Sequence, residues 1–217
     1  MNTHLLTNTE KWIIRLVWII FPAGVLWAYL GWFEWLMQHS SGILIAGVTL
    51  LGLLHIHRIQ TTPLWHWIYP LIVFAGGMIA EIAGVATGFI FGDYLYGDTL
   101  GFMILGVPIA IGFAWVMMTR FSLNLFSALK PLYRVPAAAT LATLFDAVME
   151  PAAVKLGFWT WNDGHIPWQN FTAWWILSLA FCYLLLPTQS KTEKASPYIL
   201  HLFLVQIVYF ILVLWIL

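Results

Sequence analysis

Charged side chains are scarce in this chain of 217 residues. Only 8% of the residues are Asp, Glu, Lys or Arg, and nine basic side chains balance nine acidic ones. A net charge of zero gives no electrostatic reason to expect nucleic acid or another polyanion as a partner. With 62% hydrophobic residues, the composition excludes an ordinary soluble domain and is typical of an all-α integral membrane protein. We predict one transmembrane domain over residues 1–217.

Cysteine and the usual cofactor motifs are also missing. The lone Cys182 lies inside an apolar run and cannot support a disulfide framework. No Gly-x-Gly-x-x-Gly motif follows a strand, which argues against a nicotinamide or flavin domain. The dense histidine clusters of membrane di-iron oxygenases and the aspartate-rich motifs of membrane prenyltransferases are absent, and the last apolar segment has no lysine for a retinal Schiff base. We therefore expect no cofactor and no metal site.

Long apolar segments account for most of the chain. A helix that spans the bilayer needs about 20 apolar residues, and seven segments approach or exceed that length. They lie at about 12–30, 42–57, 66–91, 101–119, 135–157, 171–186 and 198–217. We therefore predict about seven transmembrane helices.

Basic residues fall on one side of this pattern. They lie at the start of the first segment or follow the second, fourth and sixth, at Lys11, Arg15, Arg58, Arg120, Lys130, Arg134, Lys191 and Lys194. Lys155, near the end of the fifth segment, is the exception. The positive-inside rule then predicts a cytoplasmic N-terminus. Because one helix more or fewer would destroy this sorting, the basic residues support a count of seven.

Two stretches of the chain follow the same pattern. Each contains, in order, E-x6-G-F, an aromatic pair separated by one residue, and P-x6-W. The members are Glu81, Tyr94, Tyr96 and Trp115 in the first stretch, and Glu150, Trp159, Trp161 and Trp174 in the second. Coincidence is the alternative, because this chain is rich in Gly, Phe and Trp. The predicted orientation makes the two units, helices 3–4 and helices 5–6, a parallel repeat about an axis along the membrane normal.

Acidic residues lie within the apolar segments, where a charged side chain is energetically costly and is usually functional. Glu81 and Glu150 belong to the repeat, and Asp146 lies one turn before Glu150 on the same helix face as Thr143. The position that matches Asp146 in the first stretch is Gly77, so Asp146 has no counterpart. The three carboxyls are candidate catalytic groups, since neighbouring carboxyls can share protons and act as acid and base. The structural alternatives are hydrogen bonding between helices by neutral acids, or pairing with Lys155.

Aromatic and polar residues between the segments are candidate substrate-binding groups. Tyr94, Tyr96, Trp159 and Trp161 either form an interfacial belt or line a cavity mouth, where their faces would stabilise a cation. Asp93 accompanies the tyrosines, and Asn170 begins the sixth segment, where it is also a natural helix cap. We include both among the candidates.

The motifs of this chain resemble those of the carotenoid biosynthesis membrane family, which includes the CruF-type carotenoid 1,2-hydratases. The resemblance covers roughly residues 75–175 and rests on E-x6-G-F-x-F-G-D-Y-x-Y, D-A-V-M-E-P, G-F-W-T-W-N-D-G and I-P-x-Q-N-F-x-A-W. It implies addition of water across the terminal C1=C2 bond of an acyclic ψ-end group, without a metal or redox cofactor. It also implies a carotenoid substrate in the bilayer, other carotenoid enzymes as partners, and the cytoplasmic membrane of a bacterium or archaeon.

Under this resemblance the three acids receive distinct expected roles. Asp146 would donate the proton, because it lies deepest in its segment and has no counterpart in the repeat. Glu150 and Glu81 would position the water and take its proton, although exchanging Asp146 and Glu150 fits the sequence nearly as well. Three other functions stay open: a lycopene-type cyclase that uses the same protonation, a transporter or proton carrier, and a carotenoid-binding subunit.

Overall fold

The computed structural model describes residues 6–32, 34–60, 63–189 and 194–217, and these ranges contain seven α-helices. The helices are α1 (Asn8–Leu30), α2 (Glu34–Gln60), α3 (Ile68–Thr87), α4 (Ile109–Leu125), α5 (Pro131–Lys155), α6 (Trp168–Leu185) and α7 (Pro197–Ile216). Short 3-10 helices lie at Leu64–Trp67, Asp98–Leu100 and Leu186–Thr188. The predicted all-α architecture is confirmed, while Lys191 lies outside the described residues.

Length sets α4 apart from the other helices. Six of the described helices are long and apolar enough to cross a membrane, which indicates a multi-pass membrane protein. Helix α4 has 17 residues and a length of about 26 Å, somewhat less than the hydrocarbon core of a typical bilayer. The side of the membrane on which each chain end lies stays a prediction.

Two predicted segment boundaries are wrong because turns interrupt apolar sequence. Helix α3 ends at Thr87 rather than near residue 91, since Gly88 adopts a left-handed conformation with a φ of 65° and caps the helix. Helix α4 begins at Ile109 rather than near residue 101. The residues before it form a hairpin of β2 (Met103–Ile104) and β3 (Val107–Pro108), which pair antiparallel. Hydropathy alone does not register such turns.

Helix α4 lies at the centre of the bundle. It packs against α2, α3, α5, α6 and α7. Thirteen of its 17 residues are buried, and Trp115 is completely inaccessible to solvent. Helix α1, in contrast, packs mainly against α7 and touches α2 only lightly. The acidic residues of α3 and α5 therefore face a core organised around α4.

The two aromatic pairs meet in one antiparallel strand pair. Strand β1 (Tyr94–Tyr96) pairs with β4 (Trp159–Trp161), placing Tyr94 opposite Trp161 and Tyr96 opposite Trp159. In the repeat, Tyr94 corresponds to Trp159 and Tyr96 corresponds to Trp161. Exchanging the two stretches therefore converts the Tyr94–Trp161 pair into the Trp159–Tyr96 pair. A local twofold axis between the strands has this property, so the register accords with the predicted repeat.

The tryptophans that end the two stretches give the same relation. Trp115 of α4 and Trp174 of α6 stack on each other, with ring centroids 4.1 Å apart and planes inclined by 17°. Pro108 and Pro167 precede these helices as equivalent N-caps. Equivalent elements of the two stretches thus contact each other twice, at the paired strands and at the stacked rings.

Candidate active site

A buried cavity lies where the two repeat stretches meet, below the β1–β4 strand pair. Its walls are mainly apolar, and Glu81, Asp146, Glu150 and Asn170 line it. Each of these four residues is 3% exposed or less. The cavity offers about 50 Å³ to water-sized molecules, which is room for a few waters. Three carboxyl groups on α3 and α5 therefore share one enclosed space.

Glu81 accepts three hydrogen bonds. The Tyr94 and Tyr96 hydroxyls donate to its Oε2 over 2.5 and 2.7 Å, and Trp115 Nε1 donates to its Oε1 over 3.0 Å. Burial raises the pKa of the Tyr94 and Tyr96 hydroxyls well above their usual range, so both keep their protons and act as donors. All three hydrogen-bond partners of Glu81 are donors, an arrangement that an ionised carboxylate can accept.

Glu150 has an equivalent set of partners on the other side of the strand pair. Trp159 Nε1 and Trp161 Nε1 donate to its Oε2 over 2.9 and 3.0 Å. Asn170 Nδ2 donates to its Oε1 over 3.1 Å. The tryptophans of β4 thus do for Glu150 what the tyrosines of β1 do for Glu81. A purely interfacial belt is excluded for Trp159 and Trp161, because both are buried and bonded to an internal acid.

Asp146 differs from both glutamates in its hydrogen bonding. Asn170 Nδ2 donates to its Oδ2 over 3.0 Å, so one amide nitrogen joins Asp146 to Glu150. The other oxygen, Oδ1, is buried and has no hydrogen-bond partner among the described residues. Asp146 lines the cavity and has one carboxyl oxygen that the described residues leave unsatisfied.

The repeat also accounts for the missing counterpart of Asp146. At the matching position on α3, a Cβ added to Gly77 would lie 2.6 Å from Trp115 Cδ1. The Trp115 side chain fills the space that an acid would need there. The two halves of the site are therefore similar in framework and different in acid content.

Other predicted residues lie outside this cluster or act differently from expectation. Asp93 is exposed and lines a separate cleft among the loops, with its backbone carbonyl accepting from the Asn162 amide over 3.0 Å. Asn170 is not a helix cap: Pro167 precedes α6, and the Asn170 side chain turns inward to the acids. Lys155 Nζ donates to the Leu214 carbonyl over 3.2 Å, so it does not neutralise Glu150.

The sequence reasoning missed two polar contacts of the site, one through a Glu81 partner and one through a residue of the cavity wall. Trp115 donates to Glu81, and its only sequence signal was the repeated P-x6-W spacing. Gln206 of α7 lines the cavity and donates to the Leu202 carbonyl over 2.8 Å. A lone amide in the most apolar segment was a signal that could have identified it.

The surroundings of the acids are anionic and aromatic. No Lys, Arg or His from the described part of the chain lines the cavity. Within the same residues, no group of three or more His, Cys, Asp or Glu side chains could hold a metal ion. Carboxylates and aromatic faces stabilise positive charge. The cavity therefore combines a candidate proton donor, Asp146, with surroundings suited to a cation.

Trp115 and Trp174 form a matched pair for testing this geometry. Trp115→Phe keeps the ring stack but removes the N–H that donates to Glu81. A hydrogen bond to a charged group stabilises a protein by about 1.5–3 kcal/mol, so we expect a loss of that size in the free energy of unfolding. Trp174→Phe should cost less, since its indole N–H bonds to no described residue. Unfolding in detergent would measure both; equal losses would show that the Glu81 bond is unimportant.

Comparisons with known proteins give a family model and a relative that match this chain. The model of a family described as "Carotenoid biosynthesis protein" matches residues 40–217. The chain is 33% identical over 150 residues to a bisanhydrobacterioruberin hydratase of Haloarcula japonica, an alignment that covers 58% of this chain and 50% of that protein. The chain thus spans about half the length of the curated relative it matches. No solved structure matches it.

Proposed function

Because the chain belongs to the carotenoid biosynthesis protein family, we propose that it hydrates an acyclic carotenoid within the bilayer. The reaction adds water across the terminal C1=C2 bond of a ψ-end group and yields a tertiary alcohol at C1. A relative named as a hydratase supports the reaction class. The observation that carries the proposal is the Asp146 carboxyl, which lines the cavity beside two hydrogen-bonded glutamates and has one oxygen without a hydrogen-bond partner among the described residues.

Asp146 is the proton donor in this mechanism. A buried carboxyl with one hydrogen-bond donor and one unsatisfied oxygen is best accommodated in its neutral form. Its O–H protonates C2 of the substrate, the C1=C2 π electrons form the new C–H bond, and positive charge develops at C1. Two alkyl substituents and the chain carbon make this cation tertiary, so protonation at C2 is the favoured direction.

The rest of the cavity stabilises the cation at C1. The Glu81 and Glu150 carboxylates supply negative charge in a space with little water, where electrostatic stabilisation is strong. Aromatic side chains at the wall, including Trp159, Trp161 and Trp174, offer further stabilisation through their faces. The tyrosines and tryptophans on the glutamates hold these groups in place before the reaction begins.

Glu150 then acts as the general base towards water. A water molecule bonds to C1 through its oxygen, and the proton it loses passes to the Glu150 carboxylate. Because Asn170 holds Glu150 and Asp146 together, the proton returns to Asp146 over a short path. The net change is the addition of one water, with no electron transfer, and Glu81 supports the water from the opposite side of the cavity.

Isotope labelling tests the reaction directly. Membranes from a host that makes lycopene and expresses this chain should yield a tertiary alcohol with ¹⁸O at C1 when incubated in H₂¹⁸O. In D₂O the product should carry one deuterium at C2. Mass spectrometry of the extracted carotenoids measures both labels, and membranes without the chain are the control.

Each rival function predicts a different result in the same host. A cyclase would form a ring without ¹⁸O. A transporter would leave the carotenoids unchanged and give acid-dependent flux in vesicles. A binding subunit would hold pigment without altering it, and any of these three results refutes the hydratase.

A further inference from the structure

A second apolar cavity lies beside the acid cavity. It has a volume of about 310 Å³ and lies between α1, α2 and α7. Its walls are mostly apolar and include the aromatic rings of Phe21, Trp27 and Tyr209. We call this space the α1 groove. Nothing in the hydration chemistry above uses it.

The α1 groove and the acid cavity share part of their walls. Ile45, Phe158, Gln206 and Phe210 line both spaces. The same side chains therefore face the acids on one side and the groove on the other. A ligand longer than the acid cavity would extend into the groove by displacing these shared side chains.

The groove has an open side because α1 is loosely attached to α2. Helix α1 packs mainly on α7, and its groove residues Ile20, Phe21, Gly24 and Trp27 are only half-buried. Pro22 lies among them and removes one hydrogen bond of the helix. The gap between α1 and α2 thus faces the position of the lipid in a spanning arrangement.

We infer that the α1 groove holds the polyene chain of the carotenoid while its end group occupies the acid cavity. This inference rests on the proposed function. The acid cavity has room for a few water-sized molecules, whereas a carotenoid is about as long as the bilayer is thick, so most of the substrate lies elsewhere. The groove is apolar and aromatic, shares wall side chains with the cavity, and opens towards the bilayer that dissolves the substrate.

Helix α1 would then discriminate between carotenoids by the polyene chain that follows the reacting end group. The acid cavity is lined by residues within the family match at 40–217, but α1 precedes that range. The chemistry would therefore reside in the matched part, and preference among carotenoids with the same end group would reside in α1.

Gly24 allows the groove to be filled in steps. A Cβ at Gly24 would meet Tyr209 Cε2 at 3.8 Å, which is ordinary van der Waals contact, so Gly24→Ala should be harmless. Gly24→Phe adds a ring that occupies the groove. We expect at least a 10-fold loss of carotenoid hydration for Gly24→Phe and a smaller loss for Gly24→Leu. Pigment bound to the purified protein should fall in parallel.

Gly47 on α2 provides the matched control. A Cβ there meets nothing within 4 Å, so Gly47→Phe adds the same ring outside the groove. It should retain wild-type activity and pigment. If Gly24→Phe hydrates carotenoid as well as Gly24→Ala, the groove does not hold the substrate, although the hydratase proposal stands. If Gly24→Phe fails to accumulate, Gly24→Leu is compared with Gly24→Ala in its place. Equal hydration by these two variants would show that the groove does not hold the substrate.

The proposed function and the inference about the groove can be refuted separately. A wild-type protein that forms no alcohol but loses bound pigment on Gly24→Phe would place a carotenoid in the groove and remove the hydratase. Occupation by membrane lipid alone would leave both activity and pigment unchanged across the Gly24 series, and would overturn the inference.

Discussion

Replacing Asp146 by asparagine should slow carotenoid hydration by about 10²- to 10⁴-fold, the range that general acid catalysis contributes. Asparagine keeps the size of the side chain and an oxygen that can accept from Asn170, but it has no acidic proton to give to C2. The rate of alcohol formation in membranes, normalised to the amount of folded protein, is the measurement. Bound pigment should change little, because the groove and the cavity walls are intact.

Two variants on the same helix serve as controls for Asp146→Asn. Thr143→Val removes a hydroxyl that donates to the Ala139 carbonyl over 3.0 Å and does not line the cavity, so activity should persist. Asp146→Glu keeps an acid at the position and should recover part of the rate. Full activity in Asp146→Asn would eliminate this residue as the proton donor and would transfer the role to Glu150.

The helical architecture could be predicted because hydropathy reports on long apolar segments. The helix ends were less predictable, since they depend on single turns such as Gly88 and on the hairpin before Ile109. The contacts of the Asn170 side chain could not be predicted either. Its sequence position allows a cap, and only the packing of α5 against α6 brings it to Asp146 and Glu150.

The acids themselves were predictable because an ionisable residue in an apolar segment is rarely without a role. Their partners were partly predictable from the repeat. The aromatic pairs were expected either to form an interfacial belt or to line a cavity mouth. They line the acid cavity, and their donation to the glutamates was not predicted. That arrangement follows from the pairing of β1 with β4, a contact between residues more than 60 positions apart. No local pattern encodes it.

Replacing Glu150 by glutamine should also lower hydration strongly, by about 10²-fold or more, but for a different reason. Glutamine can still accept from Trp159 and Trp161, yet it cannot take a proton from water. Glu81→Gln should lose less, because Asn170 bonds to Asp146 and Glu150 and not to Glu81. Because the two glutamates occupy matching positions of the repeat, Glu81→Gln serves as the control for Glu150→Gln. Equal losses would argue against a special role for Glu150.

Azide separates the base from the acid. In Glu150→Gln the cation at C1 still forms, and azide can bond to it without losing a proton, which yields a tertiary azide. In Asp146→Asn no cation forms, so azide should give no product. Mass spectrometry of the extracted carotenoids would detect the adduct. If azide instead rescued Asp146→Asn and not Glu150→Gln, Glu150 would be the proton donor and Asp146 the base. The unsatisfied oxygen of Asp146 would then mark where water binds.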